Sequence, residues 1–141
     1  MKGRLKIDEL TFSAAHYLKG HPKCRALHGH TYFVKNIEIT YETLGQDFID
    51  LGIVESIVVE FDHKLLVPRE DAAFWAQLNL SLKPEPPCTL PFVIIPGGTL
   101  VENIAEFIAT KIKSIKHVRA VKLQVFEGPN QGATYQIGGE Q

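Results

Sequence analysis

The chain has 141 residues, a length that suits one domain with a real hydrophobic core. Its 45% hydrophobic and 22% charged residues exclude a disordered chain, and 15 Lys+Arg against 16 Asp+Glu leave no broad basic surface for nucleic acid. No apolar run is long enough to span a bilayer, and the opening MKGRLKIDEL lacks the pattern of a secretory signal, so a cytoplasmic protein with no membrane partner is expected.

In LKIDELTFSAAH, apolar Leu5, Ile7, Leu10, Phe12 and Ala14 recur with a period near two, disturbed around Glu9. That pattern predicts a strand, bulged near Glu9 and ending near His16. The Gly-, Pro- and Lys-rich YLKGHPKCRALHG is a loop leading into a second strand, HTYFVKNIEITY. Strict alternation along this strand puts Phe33, Lys35, Ile37, Ile39 and Tyr41 on one face. His30, Tyr32, Val34 and Asn36 then share the other. Asp50 is suited to cap a helix whose apolar stripe is Leu51, Val54, Ile57, Val58 and Phe61.

Residues 67–98 are less regular. PREDAAFWAQLNLSL predicts a short helix, and KPEPPCTLPFVIIPGG is broken by prolines and ends in paired glycines. The stretch reads either as a surface insertion or as a pocket wall or subunit contact. In the second case Phe74, Trp75, Phe92, Val93, Ile94 and Ile95 would be buried anchors. From Thr99 the pattern clears: Thr99 and Glu102 have capping-box spacing, ahead of an apolar helix face at Val101, Ile104, Ala105, Ile108, Ile112 and Ile115. RAVKLQVFEG returns to period two through Val121, Leu123 and Val125, and GPNQG turns into a closing strand, ATYQI. The order of two strands, helix, variable segment, helix and two strands predicts an α+β fold, an antiparallel sheet covered by helices on one face.

CRALHGHTY concentrates the chemistry. In an extended chain His28 and His30 point to one face, and His16 at the end of the preceding strand can approach them. Three neutral imidazoles with an open fourth position are the catalytic form of zinc coordination, and nitrogen donors suit zinc better than magnesium or calcium. The plainer reading is an H-x-H pair with only a surface role. His21 competes from the HPK segment, and His117 reads as a residue at a helix C-terminus. Cys24 can close the metal shell as a fourth ligand or stand free as a thiolate beside Lys23 and Arg25; spacing leaves both open. With only Cys24 and Cys88 present there is no disulfide scaffold, although one Cys24–Cys88 bridge stays open. Asp62 can orient His63 for proton transfer, or the two are a local cap and an exposed imidazole. Glu127 is a strand-end charge, or a carboxylate able to accept two hydrogen bonds from the amino-pyrimidine edge of a guanine-like or pterin ring. Glu102 has the same capacity, though capping already explains it.

Six separated pieces occur in order: FSAAH (12–16), CRALHGH (24–30), DFIDLG (47–52), FDHKLL (61–66), ENIAEFI (102–108) and VFE (125–127). In this the chain closely resembles the 6-pyruvoyl-tetrahydropterin synthase/QueD (6-carboxytetrahydropterin synthase) family over nearly its whole length, much of 67–98 excepted. The resemblance implies a single domain over 1–141 with a variable insertion around 67–98. It implies the tunnelling fold (T-fold), a four-stranded antiparallel sheet with two helices packed on one face. Three subunits would join sheets into an oligomeric barrel, and two trimers would stack as a hexamer with active sites at subunit interfaces. His16, His28 and His30 match the zinc ligands, Cys24 the catalytic thiol, and Asp62 with His63 the proton-transfer pair, supplied to the pocket by a neighbouring subunit. Glu127 matches the glutamate that anchors the pterin ring, with Glu102 second.

The implied substrate is 7,8-dihydroneopterin triphosphate. The compact C-x-x-x-H-G-H spacing matches QueD-like members and implies 6-carboxytetrahydropterin, acetaldehyde and triphosphate as products, a step in queuosine precursor synthesis. Pyruvoyl-tetrahydropterin formation, release of a 6-hydroxymethylpterin and a non-enzymatic zinc-stabilised oligomer are the alternatives. The chain departs from the family's pattern at Leu100-Val101, where many members have PT or TT, and at Gly128, where many have threonine.

Overall fold

A computed structural model describes residues 1–82 and 89–139. Strands β1 (Lys2–His16) and β2 (His28–Glu42) form a long antiparallel pair, followed by helix α1 (Leu51–Val59) and strand β3 (Lys64–Pro68). A short 3-10 turn (Arg69–Asp71) leads into α2 (Ala72–Ser81), then β4 (Phe92–Ile95), α3 (Val101–Lys113), β5 (Val118–Glu127) and β6 (Gly132–Gly138). The strands form one sheet in the order β4-β3-β1-β2-β5-β6. The expected four antiparallel strands are its β1-β2-β5-β6 part. β3 joins β1, and β4 joins β3, both in parallel.

The sheet is therefore six-stranded and mixed, and there are three helices among the described residues rather than two. Both added strands lie in short apolar runs, KLLVP and FVII, too brief for periodicity to separate strand from buried helix. β3 is buried at Leu65, Leu66 and Val67 because it has a strand on either side. The chain reaches it through a turn at His63, whose φ of 58° is left-handed and whose amide donates to the Ser13 carbonyl at 2.7 Å. Of the expected buried anchors in this stretch, Ile95 is fully buried and Trp75, Phe92 and Val93 are half-buried. Phe74 and Ile94 are exposed. Cys88 lies outside the described residues, and with it the Cys24–Cys88 bridge.

The disturbance near Glu9 is a change of phase shared by both long strands. In β1 the inward residues are Leu5 and Ile7, then Leu10, Phe12, Ala14 and His16. In β2 they are Tyr32 and Val34, then Ile37 and Ile39, all fully buried. The two strands stay in register because both phases flip at the same level, with Ile7 opposite Ile37 and Glu9 opposite Lys35. Asn36 makes the flip with a φ of 52°, and β2 gains one residue relative to β5 between Lys35 and Glu38. This corrects the uniform alternation expected for β2: Val34 and Ile37 face the same core.

Helices α1 and α3 pack on that face against the sheet and each other. Asp50 caps α1 as expected, its Oδ1 accepting from the Gly52 amide at 2.8 Å. Val54, Val58 and Phe61 fill the core beneath, and Phe12 stacks on Tyr32 with ring centroids 4.8 Å apart. Ile104, Ile108 and Ile112 of α3 are fully buried. The expected capping box is absent. α3 starts one residue later, after Leu100, and Thr99 donates its hydroxyl to the Tyr17 carbonyl instead, at 3.0 Å. His117 also differs from expectation. It lies beyond α3, in a left-handed turn at φ 74°, with Nε2 3.0 Å from an Asp47 carboxylate oxygen.

A left-handed position suits Asn or Gly and strains a β-branched residue. Asn36→Val is expected to lower unfolding free energy by about 1–2 kcal/mol, while Asn36→Gly stays within about 0.5 kcal/mol of the parent, both read from urea midpoints. Equal midpoints for the two variants would show that the phase flip does not depend on the left-handed residue.

Candidate active site

The β1–β2 ladder places His16 directly opposite His28 and Ala14 opposite His30. All three histidines occupy the inward phase of their strands, so their rings converge at the end of the core face. Ring centroids are 4.6 Å apart for His16–His28, 5.0 Å for His16–His30 and 4.8 Å for His28–His30. One ligand nitrogen from each lies within 4.8 Å of the others.

Neighbouring carbonyls select the ring nitrogens. Nδ1 of His16 donates to the Thr99 carbonyl at 2.9 Å, and Nδ1 of His28 donates to the Ala26 carbonyl at 2.7 Å. Each bond leaves Nε2 with its lone pair, the form that ligates a metal, and fixes the ring plane. His16 is fully buried, and its Nε2 has no hydrogen-bond partner among the described residues. Burial pushes its pKa down to about 4. The Thr99 bond opposes that shift, and the His28 and His30 charges add to it. A buried imidazole held neutral, with an orphaned lone pair aimed at two others, fits a borderline cation such as zinc.

Glu127 reaches the same place from β5. It pairs with Tyr32 across β2 and β5, so its side chain shares the face of Tyr32 and His30. Its amide donates to Gln131 at 2.8 Å, and the next amide, Gly128, donates to Thr31 at 3.1 Å, which fixes the strand end. Gly128 has a φ of 79°, so a β-branched residue such as threonine would be strained here. The Tyr32 hydroxyl is buried without a partner among the described residues. Burial first, and the Glu127 charge second, raise its pKa, so it remains protonated.

Asp62 and His63 touch, with Nδ1 of His63 2.8 Å from Asp62 Oδ2. The Ser13 amide donates to Asp62 Oδ1 at 2.8 Å. That bond, followed by the one to His63, lowers the Asp62 pKa and keeps it an anion. The His63 side chain is 83% exposed. It borders a cavity of about 540 Å³ lined also by Ser13, Gly29, His30, Thr31 and Leu90. Ser13, Gly29 and Thr31 belong to the outward phase of β1 and β2, opposite that of the three histidines. His30 and Ala14, both of the inward phase, line the same cavity, so the Asp62–His63 pair of one chain borders the edge of its own imidazole cluster.

Cys24 is half-buried in the loop between β1 and β2 and does not belong to the converging ligand group. The Cys24 amide donates to His21 Nδ1 at 2.9 Å, and its carbonyl accepts from Leu18 at 2.8 Å. His21 therefore organises the cysteine loop rather than competing for the metal. Glu102 is exposed in the first turn of α3 and does not line the cavity.

Sequence reasoning missed Thr99, Tyr17 and Ser13 as supports. The Tyr17 hydroxyl donates to Asp71 at 2.7 Å and accepts from the Trp75 indole at 2.8 Å, which ties α2 to the segment that follows His16. Much of this support runs through backbone atoms, which carry no residue-type signal.

The family model described as 6-pyruvoyl tetrahydropterin synthase matches residues 7–138. A putative 6-carboxy-5,6,7,8-tetrahydropterin synthase of Methanocaldococcus jannaschii is 30% identical over 89% of each chain. The 6-carboxy-5,6,7,8-tetrahydropterin synthase of Haemophilus influenzae is 30% identical over 91% of this chain and 95% of its own. Among solved structures, the Plasmodium vivax 6-pyruvoyltetrahydropterin synthase superposes with a TM-score of 0.63 at 20% identity, covering 98% of this chain and 99% of its own, a likeness of fold.

His16 is neutral in the metal-free fold but takes up a proton below about pH 6.5 when unfolded. The unfolded chain then binds more protons, so stability falls as pH drops from about 6.5 towards about 4 and rises on the way back. Urea midpoints of metal-stripped protein across that window measure the slope, and His16→Leu is expected to remove its share.

Proposed function

The chain belongs to the 6-pyruvoyl tetrahydropterin synthase family, and from that premise we propose that it is a zinc-dependent 6-carboxy-5,6,7,8-tetrahydropterin synthase. Its substrates are 7,8-dihydroneopterin triphosphate and one water, and its products are 6-carboxytetrahydropterin, acetaldehyde and triphosphate. The observation that carries the reading is the convergence of His16, His28 and His30, with the buried His16 Nε2 unpartnered, in a chain about 30% identical along most of its length to proteins of that name.

His16, His28 and His30 would hold the ion through ring nitrogens, with the rings of His16 and His28 fixed by their Nδ1 bonds to backbone carbonyls. When bound, zinc supplies a Lewis acid that polarises the side-chain oxygens of the substrate. Cys24 moves a proton at the junction of ring and side chain. The Asp62 carboxylate accepts Nδ1–H of His63 and leaves Nε2 free to carry a proton on the other side of the substrate. Glu127 accepts hydrogen bonds from the amino-pyrimidine edge, with Glu102 as a secondary contact.

In this reading the His63 ring, 83% exposed in the single chain, is covered by a neighbouring copy that completes the site, as in a hexamer of two trimers. The free edges β4 and β6 offer backbone groups for such joining. Residues 1–141 act as one unit in this reading, with 67–98 as a wall or subunit contact, and the work is done in the cytoplasm on a small molecule.

Incubation of the purified protein with 7,8-dihydroneopterin triphosphate and zinc, followed by mass spectrometry, is expected to give carboxytetrahydropterin and acetaldehyde. Pyruvoyltetrahydropterin or a hydroxymethylpterin would reassign the reaction within the family. No turnover, with unfolding on zinc removal, would favour a zinc-stabilised oligomer. Cys24→Ala is expected to keep its zinc and lose at least about 100-fold in kcat; loss of metal together with subunit dissociation would instead make Cys24 a structural ligand.

A further inference from the structure

The Glu127 carboxylate stands beside the histidine nitrogens with both oxygens engaged. Oε1 lies 3.9 Å from His16 Nε2 and Oε2 lies 4.0 Å from His30 Nε2, and the side chain is only 20% exposed. In the neutral ring the His16 bond to Thr99 leaves Nε2 with its lone pair, directed toward Glu127. Among the described residues no other group partners that nitrogen. Two acceptors held face to face in a poorly hydrated place repel each other until a cation enters between them.

The spacing is close to what ligation needs. Ligand bonds of roughly 2.0–2.1 Å at tetrahedral angles hold donor atoms roughly 3.3 Å apart, so the observed 3.9 Å closes with a movement of about 0.6 Å. Glutamate beside imidazoles is an established zinc donor set.

Resting on the three-histidine reading above, we propose that Glu127 supplies a fourth protein ligand in the substrate-free protein, so that the ion is held by three imidazoles and one carboxylate. The carboxylate must then swing away before the ion can take any other ligand. The same movement frees it to meet the amino-pyrimidine edge of the ring. Opening of the metal site is thereby coupled to arrival of the right ring, which keeps an exposed Lewis acid out of the resting protein.

The test uses full-length, metal-stripped protein titrated with Co2+ and followed by visible absorption. The wild type is expected to give an intense four-coordinate band that added thiocyanate leaves unchanged. Glu127→Gln, of the same shape, is expected to bind Co2+ at least about 10-fold more weakly, a loss that even outer-shell changes reach, and its band should shift with thiocyanate. Glu127→Asp keeps the charge but withdraws it by one methylene, and is expected to behave like Glu127→Gln. Unchanged affinity and spectrum in Glu127→Gln would overturn the proposal and leave the three-histidine site standing. A wild-type response from Glu127→Asp would overturn it too, because nearby charge alone would then account for the loss. No Co2+ uptake by the wild type would overturn the three-histidine reading itself, and the proposal with it.

Discussion

The pairing of β1 with β2 is the constraint on which the rest of the molecule depends. Its register puts His16 opposite His28 and leaves His30 one inward step further along. A slip of one residue would turn the histidines of one strand to the outer face and carry Phe12 or Tyr32 out of the core with them. The metal cluster and the hydrophobic core are thus set by a single choice of register. The core enforces that choice far more strongly than three polar side chains could, since Phe12, Tyr32, Val34, Ile37 and Ile39 are almost fully buried along the same ladder. The left-handed Asn36 makes such continuous burial compatible with a sheet whose phase changes midway.

Against that rigid ladder, the polar end of the core is left incompletely satisfied. Most buried polar atoms in folded proteins find a partner, yet His16 Nε2 and the Tyr32 hydroxyl do not among the described residues. Both lie next to Glu127, and burial acts on both, holding His16 unprotonated and Tyr32 protonated. The supporting bonds run the other way. Thr99 fixes His16 through its carbonyl and is itself fixed to Tyr17 through its hydroxyl. Tyr17 in turn meets Asp71 and Trp75. The segment at Asp71 and Trp75 therefore braces the imidazole end of β1.

The sheet also brings a second polar pair to the imidazole end of β1. β3 docks parallel to β1 at Ala14 and Ala15, and the turn into it sets Asp62 and His63 against Ser13. Ser13 and Ala14 are neighbours, but in a strand neighbours face opposite ways. Within one chain the Asp62–His63 pair nonetheless shares a cavity with His30 of the imidazole cluster.

By itself the sequence determined the long strands, the faces of α1 and α3 and the alternating histidines, because each rests on local periodicity and on residue type. Asp50 capped its helix where expected, since an N-cap is a contact between residues two apart. Thr99 did not, because its hydroxyl had a competing acceptor at Tyr17, 82 positions away, that no local pattern announces. The strands at KLLVP and FVII were illegible for a related reason: their apolar runs fit a buried helix equally well until β1 supplies a parallel neighbour. Residue type named Glu127 as an anchoring carboxylate. Only the Tyr32–Glu127 pairing across β2 and β5 put it within 4.0 Å of two histidine nitrogens, since cross-strand register is a property of the folded sheet and not of either strand alone.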